Sequence, residues 1–135
     1  MERKKILIVD DLPEIRDLVA MTLCIGPYHI LQAANGPEAI ELAQREKPEL
    51  ILLDVMLPEG GVDGFEVCRR IKSDEETHHC FVMMLTARGQ KDDMAAGFAA
   101  GANDYLVKPF SPLELMTKVD KVLNTPQQAK SAGSQ

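Results

Sequence analysis

The chain has no apolar run approaching the ~20 residues a membrane span needs, which argues against a transmembrane segment. It also lacks positive charge: 15 Lys and Arg stand against 21 Asp and Glu, for a formal net charge of −6 and a pI near 5.0. That balance argues against direct nucleic-acid binding by this domain. Its three cysteines, Cys24, Cys68 and Cys80, are odd in number and have no C-x-x-C spacing. They read as reduced, mostly buried thiols of a cytoplasmic protein rather than a disulfide framework. His78 and His79 beside Cys80 lie in a polar stretch, KSDEETHH, and read as solvent-exposed rather than as zinc ligands. The opening MERKKILIVDD runs from charge straight into a strand-like segment ending in acid, which is not the pattern of a secretory signal. At 135 residues the chain is long enough for one domain with a sizeable core, and too short for an eight-stranded α/β barrel.

Charged residues close several short apolar runs. Asp10 and Asp11 follow Ile6–Val9, Asp54 follows Leu50–Leu53, and Lys108 follows Tyr105–Val107. Runs this short, flanked by Gly, Pro and charge, read as strands buried on both faces of a parallel sheet. His29–Ala33, more polar, suits an edge strand, and Phe81–Leu85 is a further strand. Helical patterns lie between them. Pro13 to Leu23 places Ile15, Leu18, Val19 and Leu23 on one face, and Pro37–Arg45 is a second helix. Gly64, Val67, Cys68 and Ile71 mark a third, and the small-residue stretch Asp92–Ala100 a fourth. Ser111-Pro112-Leu113-Glu114 is a capping box opening a fifth helix that ends near Leu123.

Five strand–helix repeats imply a doubly wound α/β sandwich, because each parallel crossover needs a right-handed helical connection. The expected fold is flavodoxin-like, a five-stranded parallel sheet in the order 2-1-3-4-5. Residues 1–124 form the domain, and the polar, unpatterned 125–135 read as a tail or linker stump. That strand order makes strands one and three neighbours, so Asp10, Asp11 and Asp54 meet at the carboxyl edge where ligand chemistry gathers. Crowded carboxylates disfavour one another's ionisation, and a hard divalent cation such as Mg²⁺ relieves the conflict. An Asp can also act as a nucleophile toward phosphorus, and a Lys across the site can neutralise phosphoryl oxygens. Thr86, expected just after the fourth strand, adds a hydroxyl, and Ala87 leaves room beside it.

In combination, VDD, LLDVMLP, LTA and GANDYLVKPF resemble the receiver domain of two-component response regulators over about residues 4–123. The resemblance implies that Asp54 is the phosphoacceptor. It implies Mg²⁺ held by Asp11, Asp54 and the carbonyl of Met56, with Asp10 acting largely through a water. Thr86 and Lys108 would contact phosphoryl oxygens, Tyr105 would be the switch aromatic, and Lys108–Pro109 would be cis. The implied donor is a sensor histidine kinase or a histidine phosphotransfer protein. One stretch departs from the family pattern. The Asp-Gly opening the third helix usually falls about eight residues beyond the phosphoacceptor, and here EGGVDG delays Gly64 by roughly two.

Two other readings stay open. A haloacid-dehalogenase-like phosphatase also uses a strand-end Asp with Mg²⁺, Thr and Lys, but resembles D-x-D, and position 56 is Met. A pseudo-receiver that only docks partners would not need the full set Asp10, Asp11, Asp54, Thr86 and Lys108. The chain is expected to be a switch rather than an enzyme, either stand-alone or the amino-terminal receiver of a longer protein. The small-residue fourth helix, carrying Gly97, suggests that a partner or a second copy docks on the fourth helix, last strand and fifth helix.

Overall fold

The computed structural model describes residues 3–57, 63–87 and 91–124, the side chains of 91–93 excepted. Along the chain run β1 (Lys4–Val9), α1 (Pro13–Leu23), β2 (Tyr28–Ala33), α2 (Gly36–Glu46) and β3 (Leu50–Asp54). They are followed by α3 (Gly64–Ser73), β4 (Phe81–Ala87), α4 (Lys91–Ala99), β5 (Asp104–Lys108) and α5 (Pro112–Leu123). The strands are all parallel, in the order β2-β1-β3-β4-β5, as the alternating pattern implies. No helix among the described residues is long and apolar enough to cross a membrane.

Alternate residues of each central strand feed opposite faces, since successive side chains of a strand point to opposite sides. Ile6, Ile8, Leu50, Leu52, Met83 and Leu85 pack with Val19, Leu23, Leu115, Val119 and Leu123 under α1 and α5. Leu7, Val9, Ile51, Leu53, Val82 and Met84 pack on the other face with Ala39, Ala43, Val67, Cys68 and Ile71 of α2 and α3. All five residues of β3 are buried, which explains why that strand shows no apolar–polar alternation in sequence. Edge strand β2 is the exception, with only Ala33 fully enclosed.

Helix termini follow their local signals. Asn35 and Asp63 accept from the backbone N–H groups of Glu38 and Glu66. Ser111 accepts from the Glu114 N–H while the Glu114 carboxylate accepts from the Ser111 N–H, the reciprocal box expected from the sequence. Lys108–Pro109 is cis.

Several local expectations change. Leu18 is about half exposed (49%), because the face of α1 that meets the sheet is carried by Val19 and Leu23. Cys24 is exposed beyond the end of α1, whereas Cys68 and Cys80 are buried. Burial pushes both of those thiols up to about 11, so they are held as thiols. β4 extends through Ala87, which puts Thr86 inside the strand rather than after it. Parallel pairing with β5, Thr86 opposite Val107 and Ala87 opposite Lys108, carries the strand that far. Proposed tail residues 125–135 and the delayed stretch 58–62 lie outside the described residues.

Ser111→Ala should lower stability by about 1 kcal/mol through loss of the α5 cap. Urea denaturation checks this, and an unchanged midpoint would show the cap to be dispensable.

Candidate functional site

Register assembles the site. β1 pairs with β3 so that Val9 lies opposite Leu53, which makes Asp10 and Asp54 the next residues on adjacent strands. Asp54 in turn lies opposite Leu85, and Lys108 closes β5 opposite Ala87. One oxygen from each of Asp10, Asp11 and Asp54 lies within 4.8 Å of the others. Lys108 Nζ sits 3.3 Å from Asp10 Oδ2 and 3.2 Å from Asp54 Oδ1. Three carboxylates against one ammonium leave a formal excess of two negative charges, the charge of one divalent cation.

Asp10 is completely buried, and its polar groups are engaged from several directions. Its N–H donates to the Ala33 carbonyl at 3.2 Å, and its Oδ1 accepts from the Leu12 N–H at 3.0 Å. Its carbonyl accepts from Arg16 Nη1 at 2.6 Å, and its Oδ2 pairs with Lys108. Asp11 is only partly buried. Asp54 is 4% exposed, and its Oδ1 accepts from the Met56 N–H at 3.2 Å. Asp11, Asp54, Met56, Asp63, Phe65 and Lys108 line a cleft of about 810 Å³ that opens to solvent. The Met56 side chain and Leu12 are exposed beside it.

Burial raises the Asp54 pKa to about 6, and the neighbouring Asp10 carboxylate pushes in the same direction. Lys108 and the Met56 N–H act against this without cancelling it. At neutral pH the group is therefore mostly ionised, but in a setting that disfavours its charge. Hard carboxylate oxygens, crowded and under-neutralised, are the donor set that Mg²⁺ relieves.

α3 braces this edge despite its late start. A Cβ on Gly64 would fall 2.2 Å from the Asp54 carbonyl oxygen and 2.8 Å from Val55 Cα. Gly64 N–H also donates to the Val55 carbonyl at 3.1 Å. Only glycine allows that approach, so the helix seats directly on the strand end even though Asp63–Gly64 comes late in the sequence.

Of the residues expected from sequence, Asp10, Asp11, Asp54 and Lys108 are brought together. Thr86 is buried one strand over, its Oγ1 3.5 Å from the Ala87 carbonyl oxygen. Tyr105 is buried beneath α4, its hydroxyl donating to the Met94 carbonyl and its ring edge-on to Phe98 at 4.6 Å. A Cβ on Gly97 would lie 2.1 Å from that hydroxyl, so the helix leaves a notch for the ring. Sequence reasoning missed Arg16, Asp63 and Phe65. The available signal for Arg16 was its place in the first turn of α1, six residues past Asp10 and within reach of the strand end.

A family model described as the response regulator receiver domain matches residues 6–120. The chain is 46% identical over 130 residues to the DNA-binding dual master transcriptional regulator RpaA of Synechocystis. That match covers 93% of this chain and 53% of RpaA, so the chain spans about half the length of that relative. Among solved structures, the chemotaxis response regulator CheY4 of Vibrio cholerae aligns with a TM-score of 0.83 at 34% identity, covering 90% of this chain and 100% of that one. A receiver domain of a sensor histidine kinase from Pseudomonas aeruginosa, with a magnesium ion coordinated in its active-site cleft, aligns at 0.80 and 30% identity, covering 90% and 98%. This chain belongs to the response regulator receiver domain family of two-component signal transduction.

The Asp54 pKa carries a stability prediction for the metal-free protein. Its folded value lies above the ordinary carboxylate value of 3.8, so ionisation costs the native state. The cost is absent below the unfolded pKa, grows as pH rises from about 4 to 6, and is complete above that. Asp54→Asn should therefore stabilise the metal-free protein at pH 7–8 by about 1–3 kcal/mol, a gain that fades toward pH 4. Urea denaturation in chelator across that range measures it, and equal stability of the two proteins at pH 7–8 would contradict the assigned cost.

Proposed function

We propose that this domain accepts a phosphoryl group on Asp54 from a phosphohistidine and uses it to switch an output surface. The observation that carries the reading is the placement of Asp54: nearly buried, open to the cleft, beside two carboxylates and in contact with Lys108. The donor is a sensor histidine kinase or histidine phosphotransfer protein. An oxygen of Asp54 attacks phosphorus, and the O–P bond forms as the P–N bond breaks, its electron pair returning to the donor imidazole. Lys108 neutralises phosphoryl oxygens, and the Thr86 hydroxyl is assigned to bind one of them.

The three carboxylates fit Mg²⁺. Asp11, Asp54 and the Met56 carbonyl would hold it, with Asp10 acting through a water. When bound, the metal supplies positive charge that offsets repulsion between the carboxylates and an incoming phosphoryl group. A phosphatase of the haloacid-dehalogenase kind is disfavoured because Met56 stands where its second acid would be. The intact Asp10, Asp11, Asp54 and Lys108 cluster favours a working receiver over a docking-only one. The domain acts as a switch rather than a turnover enzyme, on the cytoplasmic side where such donors present their phosphohistidine. Its unit is residues 1–124, followed by a tail or linker.

Output runs through Thr86 and Tyr105. Val82 and Met84 share the α2–α3 face, so Thr86, two further along β4, continues the face on which Tyr105 lies. Engagement of Thr86 would alter the packing of Tyr105 beneath α4. Phe98 (53% exposed) and Met116 lie on α4 and α5, the surface assigned to a partner or to a second copy of the chain.

Asp54→Asn should abolish acetyl-phosphate-dependent phosphorylation, read by intact mass at low temperature; near wild-type stoichiometry would reject Asp54 as the acceptor. Asp11→Ala should lose Mg²⁺ affinity sharply and Asp10→Ala less so, read by calorimetry. Hydrogen exchange with beryllofluoride and Mg²⁺ should show protection changes reaching α4, β5 and α5. Changes confined to the loops around Asp54 and Thr86 would remove the output surface from the scheme.

A further inference from the structure

Arg16 stands outside the cleft but is tied to the acid pair. It lies on α1, partly buried, one turn past Pro13. Its Nη1 donates to the backbone carbonyl of Asp10 at 2.6 Å, and its Nε donates to Gln32 Oε1 on β2 at 3.2 Å. The carbonyl it holds belongs to the peptide joining Asp10 to Asp11. That peptide sets the direction in which both carboxylates leave the end of β1. Leu12 occupies the N-cap without a side-chain hydrogen bond, and the turn is held by the Asp10 carboxylate on the Leu12 N–H and by Arg16 on the Asp10 carbonyl. Two nitrogens of one planar fork brace the turn against both α1 and the edge strand in a fixed geometry that the single nitrogen of a lysine does not impose.

We infer that Arg16 is a positioning residue for the metal-binding acid pair, acting through the Asp10–Asp11 peptide and not as a ligand. The inference rests on the reading of Asp11 and Asp54 as Mg²⁺ ligands. Two effects of Arg16 oppose each other and can be told apart. Its positive charge by itself repels a cation, so deleting it would tighten Mg²⁺ binding if charge dominated. Its geometric role demands the opposite, because carboxylates released from their fixed direction must be reordered when the metal arrives.

The test compares wild type, Arg16→Ala and Arg16→Lys by calorimetric titration with Mg²⁺ and by urea denaturation. Arg16→Ala should bind Mg²⁺ about tenfold more weakly, the scale on which residues supporting a metal site act. Arg16→Lys, keeping the charge but not the planar fork, should fall between, about threefold below wild type. In metal-free Arg16→Ala, the backbone amide resonances of residues 10–12 should shift or broaden. Equal or tighter Mg²⁺ binding by Arg16→Ala overturns the inference, even if its urea midpoint drops. Should that variant not fold, undiminished binding by Arg16→Lys overturns it. Failure of the wild type itself to bind Mg²⁺ would instead sink the underlying metal-site reading.

Discussion

The contact on which the site depends is a single ammonium set between two buried carboxylates. Lys108 reaches Asp10 and Asp54 at 3.3 and 3.2 Å, and with the Leu12 and Met56 N–H groups it offsets two charges taken almost wholly out of water. Burying a carboxylate without compensation is expensive, and the Asp54 pKa near 6 records that one lysine compensates incompletely. The remaining strain makes the edge receptive. A divalent cation would lower the energy of the carboxylates.

A charge cluster of this kind survives only where the backbone beneath it cannot yield. β3 is buried along its whole length and paired on both sides, so Asp54 rides on the most enclosed strand of the sheet. α3 presses its opening glycine onto the Asp54–Val55 backbone, and Arg16 ties the Asp10 carbonyl to α1 and β2. The longer stretch between Met56 and Asp63 thus leaves the strand end where the rest of the fold sets it. Length variation in a loop is tolerated when both of its anchors are packed.

α4 is rich in small residues and meets Tyr105 through a notch at Gly97 and one carbonyl at Met94. Phe98 leans on the Tyr105 ring while staying half exposed. The same sheet connects the carboxylate edge to the Tyr105–α4 contact.

The fold class was legible because short apolar runs alternating with helical periodicity permit few topologies, and the cluster was legible because Asp10, Asp11, Asp54 and Lys108 each close such a run. Patterns of this kind are local, and local physics writes them into the chain. What needed the tertiary structure was every relation between residues distant in sequence. Lys108 choosing both Asp10 and Asp54, and the burial that raises the Asp54 pKa, depend on strand register. The half-exposure of Leu18, the extension of β4 through Thr86 and the exposed Cys24 depend on where a helix or strand meets its neighbour, which periodicity constrains only to within a residue or two. Arg16 and Gly64 show the limit most clearly. Each acts on a backbone group of another element, and a backbone carbonyl carries no sequence signal of its own, so sequence alone determined which groups line the edge while packing decided what holds them in place.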